Sequence, residues 1–191
     1  MSDHRKPIAN RRIRIAVVGC GRIAANHFSA IEKHKEHLQL AAVCDTDNAA
    51  LQAAEAKYGV TGFSSIDELL RSSDVDVVAL CTPSGIHPSQ AIQVARAGKH
   101  VMTEKPMATR WSDGLRMVRE CDDAGVWLFV VKQNRRNATL QLVKQAIDKK
   151  RFGRIHMVTI NVFWSRPQSY YDSAKSIWRS EERRVGKECR S

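Results

Sequence analysis

Along residues 13–131, short apolar runs alternate with stretches in which apolar residues return every three to four positions. The runs at 13–18, 38–44, 75–81, 100–103 and 126–131 are apolar at nearly every position. That pattern predicts strands covered by helices on both faces. The stretches between them carry helix punctuation. Residues 49–58 are alanine-rich and stop at Gly59, Ser65 is placed to cap a helix over 66–70, and 88–97 stops at Gly98. Thr109 or Ser112 can cap a further helix that closes at Gly125. Strands joined in this rhythm by helices predict an α/β domain with a doubly wound parallel sheet.

After residue 131 the pattern changes. Gln133-Asn134-Arg135-Arg136-Asn137 is polar, residues 138–150 repeat apolar positions at helical spacing, and Gly153 ends them. Residues 154–164 alternate, are rich in β-branched side chains, and predict a strand with unlike faces that opens a second, largely antiparallel sheet. The chain is therefore expected to divide into a basic arm (1–12), a first domain (13–132), the beginning of an α+β domain (133–178) and a charged tail (179–191). With 191 residues and 43% hydrophobic content it can bury a substantial core. Two full domains normally need more, so one complete domain and part of another are expected.

Composition narrows the partners. Lys and Arg exceed Asp and Glu by 11, but the basic residues cluster only at positions 4–6 and 11–14 and otherwise alternate with acids along helix faces. A nucleic-acid partner is not expected, and anionic ligands account for part of the excess equally well. No apolar run approaches the ~20 residues of a membrane span, and no signal-peptide stretch opens the chain. A cytoplasmic protein with no membrane partner is expected. The five cysteines form no C-x-x-C pair and suit small buried thiols, so no metal site is anticipated.

The chemistry sits where apolar runs end. The first run leads into Gly19-Cys20-Gly21-Arg22-Ile23-Ala24, a G-x-G-x-x-A turn opening a helix. Gly19 permits the tight turn, Gly21 lets backbone approach a pyrophosphate, and Ala24 allows close helix–strand packing. Phosphates would rest on the helix N-terminus, where free N–H groups and the dipole favour negative charge. Asp45 ends the next run at the place where a carboxylate binds ribose hydroxyls and repels a 2′-phosphate. The domain is thus expected to be a Rossmann fold with NAD preferred over NADP; a glycine turn in a nucleotide-free α/β domain is the alternative. Thr82-Pro83-Ser84 and His87 leave the third run on the crevice side and could line the cofactor, although His87 at a helix start has a structural reading as well. Glu104-Lys105-Pro106 follows the fourth run. An exposed Glu–Lys neighbour pair is ordinarily a surface feature, but at this crevice a partly desolvated lysine can exchange a proton with a substrate hydroxyl. Pro106 can fix the turn through a cis bond.

Taken together, G-C-G-R-I-A, Asp45, C-T-P-S-G-I-H, E-K-P and Gln133-Asn134-Arg135 resemble the Gfo/Idh/MocA oxidoreductase family, over about residues 13–175. Residues 161–172 look like the branch that oxidises the 3-hydroxyl of UDP-N-acetylglucosaminuronic acid for surface-polysaccharide precursors. The resemblance implies that Lys105 is catalytic and that Glu104 touches the nicotinamide ribose. It further implies that Gly21, Arg22 and Ile23 wrap the pyrophosphate, that Gln133, Trp164 and Arg166 approach the cofactor, and that Arg135 and Asn137 lie near the sugar. Relatives often have Tyr and Pro where this chain has Arg136 and Ala138. The parent is expected to form a homo-oligomer through its sheet domain. The family pattern stops after about residue 175, before the Asp-x-x-x-His helix of its members, and residues 179–191 read as translated sequencing adaptor, with a native basic tail as the alternative. The chain by itself is expected to bind NAD without turning over, with a disordered tail. A dehydrogenase of a free sugar or cyclitol, and a non-catalytic dinucleotide-binding regulator, are the competing readings; an intact E-K-P argues against the regulator.

Overall fold

The computed structural model describes residues 8–163 and 165. The chain divides into two compact units, Met1–Val131 and Lys132–Ser191. In the first, β1 (Ile13–Val18), α1 (Ala24–Lys33), β2 (Leu38–Cys44), α2 (Asn48–Tyr58), β3 (Thr61–Phe63), α3 (Ile66–Ser72), β4 (Val77–Leu80), α4 (His87–Arg96), β5 (His100–Thr103), α5 (Trp111–Asp123) and β6 (Leu128–Val130) follow one another. The strands form one parallel sheet in the order β3-β2-β1-β4-β5-β6. From β1 the chain winds outward through β2 and β3, then returns to β4 on the other side. The reversal leaves a crevice above the carboxyl ends of β1 and β4, where ligands of such sheets bind.

Side-chain alternation along the strands builds a three-layer core. Ala16, Val18, Ala42 and Cys44 point to one face and pack with Leu69 of α3, Val94 of α4 and Met117 of α5. Ile15, Val17 and Val43 point to the other and pack with Ala24, Phe28 and Ile31 of α1 and Leu51 of α2. Each fully buried Val or Leu contributes roughly 1.5–3 kcal/mol, which is why the carboxyl-terminal parts of β1 and β2 and all of β4 are apolar. Asp47 caps α2 by accepting from the Ala49 and Ala50 N–H groups at 2.9 and 3.2 Å. Gly59 ends that helix in the left-handed region at φ 63°. Ser65 caps α3 through the Glu68 N–H.

Several expectations change. The strands predicted at 75–81 and 126–131 are shorter, at Val77–Leu80 and Leu128–Val130, although Asp76, Cys81, Trp127 and Val131 each keep one backbone bond to the neighbouring strand. The edge strand β3 was not foreseen: three residues with a central glycine carry no readable period. Neither Thr109 nor Ser112 caps α5. Arg110 holds the cap position with no side-chain bond, and Ser112 lies inside the first turn.

In the second unit, a 3-10 turn at Gln133–Arg136 precedes α6 (Ala138–Asp148), capped by Asn137. The helix stops two residues short of the predicted end, and Lys150 and Gly153 turn the chain at positive φ. The strand predicted over 154–164 is absent: residues 154–163 have no regular structure. A strand exists only where a neighbour takes up its N–H and C=O groups, and among the described residues none pairs with it. Its apolar positions stay open, with Met157 and Phe163 82% and 91% exposed. Residues 166–191, including those read as adaptor, lie outside the described residues.

Candidate dinucleotide site

The site starts where β1 ends. Gly19 sits at φ +90°, and a Cβ there would stand 2.9 Å from the Cys81 backbone, so the turn admits only glycine. Its N–H donates to the Cys44 carbonyl at 2.8 Å, binding the turn to β2. A Cβ on Gly21 would meet no protein atom within 4 Å: the space above this residue is open. α1 then begins with no side chain capping its N-terminus and no acid in its first turn. Ala24, fully buried, brings the helix close to the sheet. An uncapped, acid-free helix start beneath open space suits an anion.

On the β2 side, Asp45 accepts from the Cys20 N–H at 2.7 Å through one carboxylate oxygen and from the Asp47 N–H at 2.9 Å through the other. Each oxygen keeps a further lone pair for a hydroxyl donor. Asp45, Gly19 and Gly21 border a cleft of about 520 Å³ that extends past Thr46, Ser64, Ser65, Ile66 and Asp67 and is closed by Thr82, Pro83, Ile86 and Gln90. The residues from Ser64 to Asp67 were not anticipated. They enter through β3, the strand with no sequence signal. No cation stands at Thr46 or Asp47 to receive a 2′-phosphate. The residues present fit NAD: an anion seat, an acceptor pair for vicinal hydroxyls, and room for an adenosine.

On the other side of the Gly turn lie the ends of β4 and β5. The Thr82 hydroxyl donates to the Gln90 side-chain oxygen at 2.5 Å, and Ser84 begins a short 3-10 turn. His87 is buried, its Nδ1 3.0 Å from the Pro106 carbonyl and its Nε2 2.8 Å from the Thr82 carbonyl. A neutral imidazole has one N–H and so donates to one of these carbonyls, and the ring packs between the loops that follow β4 and β5. Glu104 is buried rather than paired with its neighbour Lys105 on the surface. One carboxylate oxygen lies 2.9 Å from His27 Nε2, and the other accepts the Lys105 N–H at 3.3 Å. Lys105 is exposed just past the carboxyl end of β5, outside the lining of the cleft beside Asp45, and the Lys105–Pro106 bond is cis. His27 was missed by sequence reasoning; the available signal was its helical spacing with Ala24, Phe28 and Ile31, which puts it on the sheet-facing side.

The thiols near the turn are held protonated. Burial, reinforced by the Asp45 carboxylate, pushes Cys20 up to about 11 and Cys44 up to about 12. Burial, with Glu104 adding to it, raises Cys81 as well. Cys20, Cys44, Cys81 and Cys121 are free thiols.

Gln133, Arg135 and Asn137 belong to the second unit, where all three are exposed. The Asn137 side-chain oxygen accepts from the Leu140 N–H at 3.3 Å, and the Arg135 carbonyl accepts from the Gln141 side chain. Trp164 and Arg166 lie outside the described residues. Among the described residues no group of three His, Cys, Asp or Glu side chains could hold a metal ion, and no helix is long and apolar enough to cross a membrane.

Residues 13–132 match the model of an oxidoreductase family with an NAD-binding Rossmann fold, GFO_IDH_MocA. Among solved structures, the WlbA dehydrogenase from Bordetella pertussis, in complex with NADH and UDP-GlcNAcA, is similar at 62% identity and TM-score 0.86, over 88% of this chain and 49% of that one. The WlbA dehydrogenase from Chromobacterium violaceum, in complex with the same two ligands, is similar at 61% identity and TM-score 0.85, with the same coverage. Inositol 2-dehydrogenase from Rhizobium meliloti is 32% identical over 78% of this chain and 44% of its own length. The chain spans about half the length of these relatives.

Proposed function

From its membership of the Gfo/Idh/MocA oxidoreductase family, we propose that this chain is the dinucleotide-binding half of a dehydrogenase that oxidises the 3-hydroxyl of a UDP-linked N-acetylated uronic acid. NAD supplies the hydride acceptor. The observation that carries the substrate assignment is the 62% identity with a dehydrogenase holding NADH and UDP-GlcNAcA. The geometry supports the division of labour. Gly19, Gly21, Arg22 and Ile23 cradle the pyrophosphate, and Asp45 takes the adenosine ribose. Thr82, Pro83 and Ser84 border the middle of the dinucleotide, and Glu104 meets its second ribose. His87, seated between the Thr82 and Pro106 carbonyls, stands on the same wall and is assigned to the cofactor with them. The Lys105 amine takes the proton of the substrate hydroxyl as the carbon is oxidised. By the family resemblance, Gln133, Trp164 and Arg166 are assigned to the cofactor and Arg135 and Asn137 to the sugar, and the parent is assigned to the cytoplasm as a homo-oligomer.

A cyclitol substrate is the second reading, favoured by the similarity to inositol 2-dehydrogenase. The test uses a chimera in which residues from 132 onward are replaced by the corresponding part of the Bordetella pertussis WlbA dehydrogenase. Mixed with NAD and UDP-GlcNAcA, it should generate the absorbance of reduced nicotinamide, and UDP alone should protect it from protease. Reduction with myo-inositol but not with the UDP-sugar would replace the first reading by the second.

A further inference from the structure

Glu104 is held from two directions. Its own strand end supplies the Lys105 N–H at 3.3 Å, a long bond. The second partner comes from a different element: His27, on α1, places Nε2 at 2.9 Å from the other carboxylate oxygen. Both side chains are nearly enclosed, 12% and 11% exposed, so the contact is poorly screened and the carboxylate has little water to fall back on. A histidine on the sheet-facing side of a helix is ordinarily a core residue; this one reaches a carboxylate on a strand two places away in the sheet.

That placement matters because α1 is also the helix whose uncapped N-terminus faces the phosphate seat. Asp45 lies at the end of β2 and Glu104 at the end of β5, with β1 and β4 between them. A dinucleotide that puts its adenosine ribose at Asp45 and its phosphates over Gly21 has its second ribose over β4 and β5, where Glu104 stands.

We infer that His27 is a positioning residue for the nicotinamide half of the cofactor: by locking the Glu104 carboxylate, it couples the pyrophosphate helix to the strand end that carries Lys105. The inference rests on the NAD reading above. Without the imidazole, Glu104 keeps one long backbone bond and turns away from the ribose, while the adenosine and phosphate contacts are untouched.

The experiment titrates the full 191-residue chain with NADH, followed by nicotinamide fluorescence, and with ADP, which lacks the second ribose, followed by calorimetry. His27→Ala should raise the NADH dissociation constant about tenfold, the scale of one charge-assisted hydrogen bond, and leave ADP affinity unchanged. His27→Gln, whose amide nitrogen can occupy the place of Nε2, should recover most of the loss; His27→Asn, one bond shorter, should not. Equal losses for NADH and ADP would reduce His27 to a packing residue of α1 and overturn the inference. So would unchanged NADH affinity in His27→Ala, or a folded His27→Gln that recovers nothing. Failure of the unsubstituted chain to bind NADH would instead overturn the cofactor reading, and this inference with it.

Discussion

Two aspartates, one at each end of the same sheet, show how a carboxylate becomes structural or available. At the amino end, Asp76 accepts from Arg11 Nη1 and Nη2 at 2.6 and 2.8 Å and from the Arg14 N–H at 2.8 Å. The Arg14 guanidinium also bonds Asp74. The Arg11 guanidinium, more than any other neighbour, holds the Asp76 carboxyl well below the usual carboxylate range, and the Asp76 side chain is only 9% exposed. At the carboxyl end, Asp45 accepts from two backbone N–H groups and borders an open cleft. Backbone donors orient this carboxylate without neutralising it. A charge answered by another charge fastens the fold; a charge answered only by amide dipoles remains able to recognise a ligand.

The largest effect that would sharpen this contrast belongs to Lys105. In the chimera, Lys105→Met should lower the rate of nicotinamide reduction by ~10²–10⁴, the usual contribution of a positioned proton-transfer group, at nearly unchanged NADH affinity. Near-normal single-turnover reduction would remove Lys105 from the chemistry. Next in size, Asp45→Ala should weaken NADH binding by about 10- to 100-fold, as loss of charged hydrogen bonds implies, and should narrow the preference over NADPH because the repelling charge is gone. An NADH-to-NADPH affinity ratio that stays constant would break the comparison at its carboxyl end.

The smallest effect is expected at Asp76, and on stability alone. Asp76→Ala leaves the Arg14 N–H without its acceptor and should cost roughly 1–3 kcal/mol in urea unfolding, with NADH affinity unaltered. Because its folded carboxyl titrates below its unfolded value, the stabilisation from Asp76 is present above about pH 4 and is lost as pH falls further. The unsubstituted protein should therefore lose more thermal stability than Asp76→Ala on acidification below that point. Parallel acid profiles for the two would show that the Arg11 and Arg14 contacts contribute nothing to folding.

How much of this was legible in the chain depended on the range of the interaction. β1, β2 and β5 begin and end where their largely apolar runs do, since a strand covered by helices on both faces is apolar at most positions. Asp47 and Ser65 cap helices through bonds spanning three residues or fewer, which local spacing reveals. The strand expected over residues 154–164 failed because alternation specifies two faces but supplies no partner. Residue type alone makes Glu104 half of an ordinary surface pair, and only its place at the end of a strand argues otherwise; the fold buries it.

The sequence by itself determined the α/β rhythm, the glycine turn, the acid at the end of β2 and the lysine at the end of β5, because each is set by contacts within one or two elements. Only the tertiary structure decided that His27 meets Glu104 across 77 positions, that His87 is seated between the Thr82 and Pro106 carbonyls, and that Ser64 to Asp67 border the cleft beside Asp45. Those contacts arise when α1 and α4 are laid against the sheet and β3 is added to its edge. Nothing in local spacing encodes which distant residue will then occupy the facing position.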